Sequence, residues 1–181
     1  MNSANKDAGA ADAISLLTAD HQKVRRLFEQ FEELRSQGGR QDLKSELVEE
    51  ICFELTLHAM VEEELFYPAV RAAIDDDELM DEAEAEHAGV KDLIKQLEEM
   101  EPGDTRLDAT VTVLAEQVER HVAEEENNMF IKVRQVQLDI KALGRKIKDR
   151  KDEIESDFDA APEPAQVRGG ADAQGKPGSN V

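Results

Sequence analysis

The chain of 181 residues has one cysteine, Cys52, one tyrosine, Tyr67, no tryptophan and only four histidines. A lone cysteine excludes an intrachain disulfide and any all-cysteine zinc or iron–sulfur site. It also makes a reducing cytoplasm the expected compartment. No apolar run approaches the roughly 20 residues of a membrane-spanning helix. Residues 1–13 have no apolar stretch of the kind a secretory signal carries. Cations are outnumbered, with 22 Lys and Arg against 42 Asp and Glu, for a net charge of −20. A surface of that sign repels phosphate backbones and anionic lipids, so neither nucleic acid nor a membrane is an expected partner. P-loop glycines, a dinucleotide-binding fingerprint and a nucleophile–base pair are also missing, so the sequence names no catalytic residue.

What is present is helical patterning. At about 150 residues per domain, the length argues for one domain with extensions. Residues 1–11 are small and polar and are expected to be disordered. The segment 159–181 holds three of the five prolines and four of the ten glycines, and is expected to be a disordered tail. Between them, apolar residues recur at helical spacing. Ile14, Leu17, Val24, Phe28 and Phe31 predict a helix over 13–35, with Asp12 as its N-cap and Gly38 beyond its end. Leu47, Ile51, Leu55, Leu65 and Ala69 predict a second over 41–73, interrupted near Pro68. Leu79, Val90, Ile94 and Leu97 predict a third over 78–100. Leu107, Val111, Leu114 and Val118 predict a fourth over 105–136, opened by a Thr105–Asp108 capping box. Ile140, Leu143, Ile147 and Ile154 predict a shorter fifth over 139–157. No stretch alternates with period two. The expected fold is all-α: an antiparallel up-down-up-down four-helix bundle over 12–136, an extra C-terminal helix over 137–158, and the tail.

The four histidines fall one to each of the first four helices, each on the apolar stripe. His21 follows Leu17 by four residues, His58 lies between Leu55 and Leu65, His87 precedes Val90 by three, and His121 follows Val118 by three. Two carboxylates join them, since Glu62 follows His58 by four residues and Glu125 follows His121 by four. Side chains four apart share a helix face. The order lone His, then His-x-x-x-Glu, repeats in the two halves, which suits two metal ions bridged by two carboxylates. A single histidine on an apolar face is ordinarily a hydrogen-bonded core residue. Six buried polar groups without a common partner would cost about 1–3 kcal/mol each, and a metal satisfies all of them together. Six donors exceed one tetrahedral zinc, and mixed imidazole–carboxylate donation favours iron, with manganese second.

Neighbouring residues take secondary roles. Glu84-x-x-His87 matches the ferritin-like spacing once, which makes Glu84 a possible further ligand. Glu63 and Glu126 are candidates to support the ligands, whereas Glu64 and Glu124 belong to solvated faces. Tyr67 lies nine residues after His58, half-way round a straight helix, and reads as a bundle-closing aromatic. Cys52 reads as a buried, inert thiol.

The order His21…His58-x-x-x-Glu62…His87…His121-x-x-x-Glu125, with the phrases HAMVEEELFYP and EHAGVKDLI, resembles the hemerythrin-like, or HHE cation-binding, domain. The resemblance spans about residues 12–136, and 138–155 resembles the trailing helix of bacterial members. It implies a non-haem di-iron site. His21, His58, His87 and His121 would be terminal ligands, Glu62 and Glu125 would bridge, and an oxo or hydroxo group would complete the pair. The reversible oxygen carriers of that family have a fifth histidine where this chain has Ala83, and an Asp five residues after the last histidine. The implied function is therefore handling of peroxide, O₂ or nitric oxide at an open iron site, by catalase-like, peroxidase-like or nitric-oxide-reducing turnover. The alternative is sensing or storage of iron, O₂ or nitric oxide without turnover, reported through the fifth helix or the tail.

Overall fold

A computed structural model describes residues 11–101 and 103–160. Helix α1 is Ala13–Gln37, α2 is Gln41–Val61 and α3 is Tyr67–Ala73; α4 is Asp77–Glu98, α5 is Leu107–Glu124, α6 is Phe130–Val133 and α7 is Ile140–Ala160. Two π-helical turns, Glu62–Phe66 and Glu125–Met129, join α2 to α3 and α5 to α6 without a break. The seven helices therefore make four long rods and an appended helix, with no strand among the described residues. α1 packs on α2 and α5, and α4 on α2 and α5, which closes the four rods into a ring. This is the expected four-helix bundle with its additional C-terminal helix.

Local chemistry accounts for most helix ends. The Asp12 side chain accepts from the Ser15 N–H at 2.8 Å and caps α1 as anticipated. Gly38, at φ +69°, ends α1 and returns its N–H to the Arg35 carbonyl. The Thr105–Asp108 capping box does not form. α5 starts at Leu107, and Asp108 instead accepts two bonds from Lys44 Nζ, at 2.8 and 2.9 Å. An otherwise buried ammonium requires that carboxylate more than a helix N–H does. The fifth helix runs on through Ala160, so Asp159 and Ala160 are helical, not part of a tail. The expected disorder of 1–10 and 161–181 lies outside the described residues.

The core has two apolar clusters. One holds Val24, Phe31, Ile51, Leu55, Val90, Ile94, Leu114 and Val118 among others. The second holds Ile14, Leu17, Val61, Phe66, Val70, Met80, Met129, Phe130 and Ile147 among others. The histidines fall on the seam between them. His21 lies between Leu17 of the second cluster and Val24 of the first, and His58 between Leu55 of the first and Val61 of the second.

α7 lies across α1, α2 and the first π turn. Leu143 and Ile147 are its buried apolar residues. Gly144 permits the approach, because a Cβ there would meet Ala11 O at 2.6 Å and Ala13 N at 2.8 Å. No described helix is long and apolar enough to cross a membrane.

Candidate metal centre

Each rod contributes one imidazole to the seam. All four histidines and both carboxylates are buried, Glu62 fully and Glu125 to within 1 %. Glu62 Oε2 stands 3.1 Å from His58 Nε2 and 3.3 Å from His87 Nε2. Glu125 Oε2 stands 3.2 Å from His21 Nε2 and 3.7 Å from His121 Nε2. Each carboxylate is thus set between an imidazole of its own rod and one of another rod. Two donor groups result: His21, His58, Glu62 and Glu125 converge within 4.8 Å, as do Glu62, His87 and His121. Glu62 belongs to both.

Four of the inward atoms lack hydrogen-bond partners. His21 Nε2, His58 Nε2, Glu62 Oε1 and Glu125 Oε2 are buried and make no hydrogen bond, although some lie close to one another. Native interiors rarely leave such atoms unsatisfied. Four of them converging from three rods have the chemistry of a cation site.

The outward nitrogens, in contrast, are each engaged by an acid. His21 Nδ1 meets Glu126 at 2.9 Å, His87 Nδ1 meets Glu63 at 2.9 Å, His121 Nδ1 meets Glu86 at 3.1 Å and His58 Nδ1 meets Asp20 at 3.4 Å. A carboxylate on Nδ1 fixes the ring orientation and leaves Nε2 as the free donor. Each acid is in turn held by a cation: Glu126 by Arg25, Glu63 by Lys91, Glu86 by Arg120 and Asp20 by Lys151. Glu63 and Glu126 take the supporting part read from the sequence. Asp20 and Glu86 were not foreseen. Their signal is an acid immediately before the lone histidine in both halves, Asp20-His21 and Glu86-His87.

Tyr67 does not lie on the far side of its rod, where spacing along a straight helix puts it. Its hydroxyl lies inside the layer, 3.0 Å from Glu125 Oε1, 3.3 Å from Glu62 Oε2 and 3.1 Å from His87 Nε2. The cause is the π turn, which closes with the Tyr67 N–H on the Glu62 carbonyl. One extra residue in a turn rotates everything after it by about 100° relative to a straight α-helix. The second half has the same turn, closed by Phe130 on Glu125, so Pro68 is not its cause. Tyr67 and Phe130 are counterparts. Phe130 stacks flat on His21 at 5.8 Å, and Tyr67 lies against His87 at 5.2 Å, but only Tyr67 brings an oxygen. The two donor groups are therefore chemically unequal. Glu84 is not in the layer: it is exposed and accepts from Arg71 at 3.0 Å. Ala83 is buried in the same apolar cluster as Tyr67.

Residues 12–133 match the family described as the hemerythrin HHE cation binding domain. The chain belongs to that family. A crystal structure of a hemerythrin HHE cation binding domain-containing protein from Mycobacterium kansasii shares this HHE fold. Its TM-score is 0.70 at 23 % identity, covering 81 % of this chain and 89 % of that one. The chain is also 33 % identical over 137 residues to a DNA nickase of Nostoc sp. (strain PCC 7120). That match takes in 74 % of this chain but only 36 % of the nickase.

In this HHE domain the layer borders a small cavity of about 20 Å³, lined by the four histidines with Asp20, Val24, Leu55, Ala59, Val90, Val118 and Val122. That is room for one water-sized molecule. The electrostatics follow from burial and proximity. Burial alone would lower His58, but Glu62 and Asp20 outweigh it and raise it to about 10. His87 is raised in the same way by Glu62 and Glu63, against burial. Burial would raise Glu62, yet His58 and His87 hold it below the usual carboxylate range. Burial, with Glu62 and Glu125 beside it, pushes the Tyr67 phenol up, so it donates its proton to hydrogen bonds. A cation held here would oppose each of those proton-retaining shifts.

Proposed function

We propose that this chain is a non-haem di-iron protein that handles peroxide, O₂ or nitric oxide at an open metal position. His21, His58, His87 and His121 would be terminal ligands, and Glu62 and Glu125 would bridge. The supporting observation is the convergence of six buried donors, four of which carry an inward atom without a hydrogen bond, beside a cavity the size of one small molecule. A metal domain over about 12–136 with α7 appended is part of the same reading.

When bound, an iron pair supplies the one-electron chemistry that the side chains themselves lack. The chain supplies the rest. The four acids on Nδ1 hold the rings and raise their basicity. The valines and Leu55 exclude bulk water and larger substrates. Tyr67 offers a proton donor, or an oxygen ligand, on the side of His87 and His121. The missing fifth histidine at Ala83 favours reaction or sensing over reversible oxygen carriage.

The nickase likeness does not extend to this reading, because a net charge of −20 opposes binding of a polyanion. The test uses iron-loaded, untagged chain mixed with hydrogen peroxide or nitric oxide. Turnover of one of them, or a saturable spectral change without turnover, is expected. Tyr67→Phe should alter the rate or spectrum while iron content is kept. Iron-loaded protein inert to peroxide, nitric oxide and O₂ alike would overturn the proposal.

A further inference from the structure

Three of the four cations that back the Nδ1 carboxylates come from the bundle itself: Arg25 from α1, Lys91 from α4 and Arg120 from α5. The fourth, Lys151, comes from α7, outside the bundle, across 131 residues of sequence. It is also the most shielded of the four. Its side chain is 17 % exposed, against 35 % for Arg25, 51 % for Lys91 and 66 % for Arg120. Solvent and salt screen a covered pair least, so this link is the least screened of the set. Its dependent bond is the weakest, since Asp20 to His58 at 3.4 Å is the longest of the four imidazole–carboxylate contacts. A second contact joins the same helix to the same end of the site. Arg150 donates to both oxygens of Glu64, in the π turn that opens with Glu62, at 2.7 and 3.2 Å.

We infer that α7 is a positioning element for one of the two metal positions, with Lys151 holding Asp20 and Asp20 holding the His58 ring. The inference rests on the di-iron reading. Without Lys151, Asp20 keeps only the 3.4 Å contact to His58 of the two that hold it in place. The ring of His58 then loses its orientation, and the position served by His21 and His58 loosens. The position served by His87 and His121 keeps its own supports, Glu63 with Lys91 and Glu86 with Arg120. A partner or a proteolytic cut that lifts α7 would therefore act on one metal ion and not on the pair.

The experiment compares iron release to a chelator from full-length, iron-loaded wild-type, Lys151→Met, Lys151→Arg and Lys148→Met chains. Among the described residues Lys148 pairs with Asp152 on the exposed face of α7, and it serves as the control. Lys151→Met should release one iron about tenfold faster than wild type, as loss of such supporting groups does, with the other unchanged. Lys151→Arg should restore slow release, and Lys148→Met should match wild type. Equal release of both irons from Lys151→Met, at the wild-type rate or faster, overturns the inference. So does failure of Lys151→Arg to restore slow release. Histidine ¹⁵N spectra of the metal-free chains separate this from failure of the di-iron reading. If wild type binds no iron, a His58 signal that moves in Lys151→Met and returns in Lys151→Arg still supports the link, and an unmoved signal overturns it.

Discussion

His58 carries the sharpest chemical conflict in the molecule. Free of metal, it retains a proton up to about pH 10, because Glu62 and Asp20 overcome the effect of burial. A raised folded-state value stabilises the fold fully below the ordinary histidine value of about 6.5 and loses that contribution as pH rises through about 10. Glu62, held low, contributes above the ordinary carboxylate range and loses its contribution as pH falls through its lowered value. The pair thus favours the metal-free fold across neutral pH. A metal requires a neutral imidazole beside the same ionised carboxylate. Metal uptake at pH 7 should therefore release the His58 proton, and apparent affinity should rise with pH up to about 10. Titration calorimetry in buffers of different ionisation enthalpy checks this; a heat independent of buffer would contradict it. Cys52 takes no part. Burial, with Glu98 and Glu49 nearby, pushes its thiol up to about 12, in keeping with an inert core residue.

At the scale of elements, the helices were legible because their apolar residues recur at helical spacing. The convergence of these six side chains was legible because a His and a Glu four apart share a face and each lone histidine lies on an apolar stripe. The π turns were not. A turn wider by one residue leaves the apolar pattern before it unchanged and alters only the phase after it, so spacing counted along a straight helix puts Tyr67 on the wrong side. Asp20 and Glu86 were concealed for a related reason. Adjacent helix residues point about 100° apart, so each acid serves the histidine of the next helix and not its own neighbour. The Lys151 contact joins residues too far apart in sequence for any periodicity to show. The seat of α7 gives a direct test. Gly144→Ala should gain about 1 kcal/mol of helix propensity. It also drives a Cβ into the backbone of Ala11, Asp12 and Ala13, at 2.6 to 2.8 Å, none of which can swing aside. Overpacking of that kind costs about 1–3 kcal/mol, so a net loss of stability is expected. A denaturation midpoint at or above wild type would contradict this.

At the scale of the whole molecule, two pseudo-symmetric halves close on one polar layer between two apolar clusters. The halves match in their lone histidines, their His-x-x-x-Glu pairs, their π turns and their acids on Nδ1. They differ at Tyr67 against Phe130, and at the support of His58 by α7. A bundle whose core is interrupted by six polar groups is poorly explained by packing alone, and two metal ions would satisfy all six. The most direct measurement is the iron content of the untagged chain purified from iron-replete cells, for wild type and Glu62→Ala. Two irons per wild-type chain are predicted, one for each donor group. Because Glu62 belongs to both groups, its removal should weaken both positions, leaving less than one iron. Wild-type chain without tightly held iron, or Glu62→Ala with the full complement, would contradict the account.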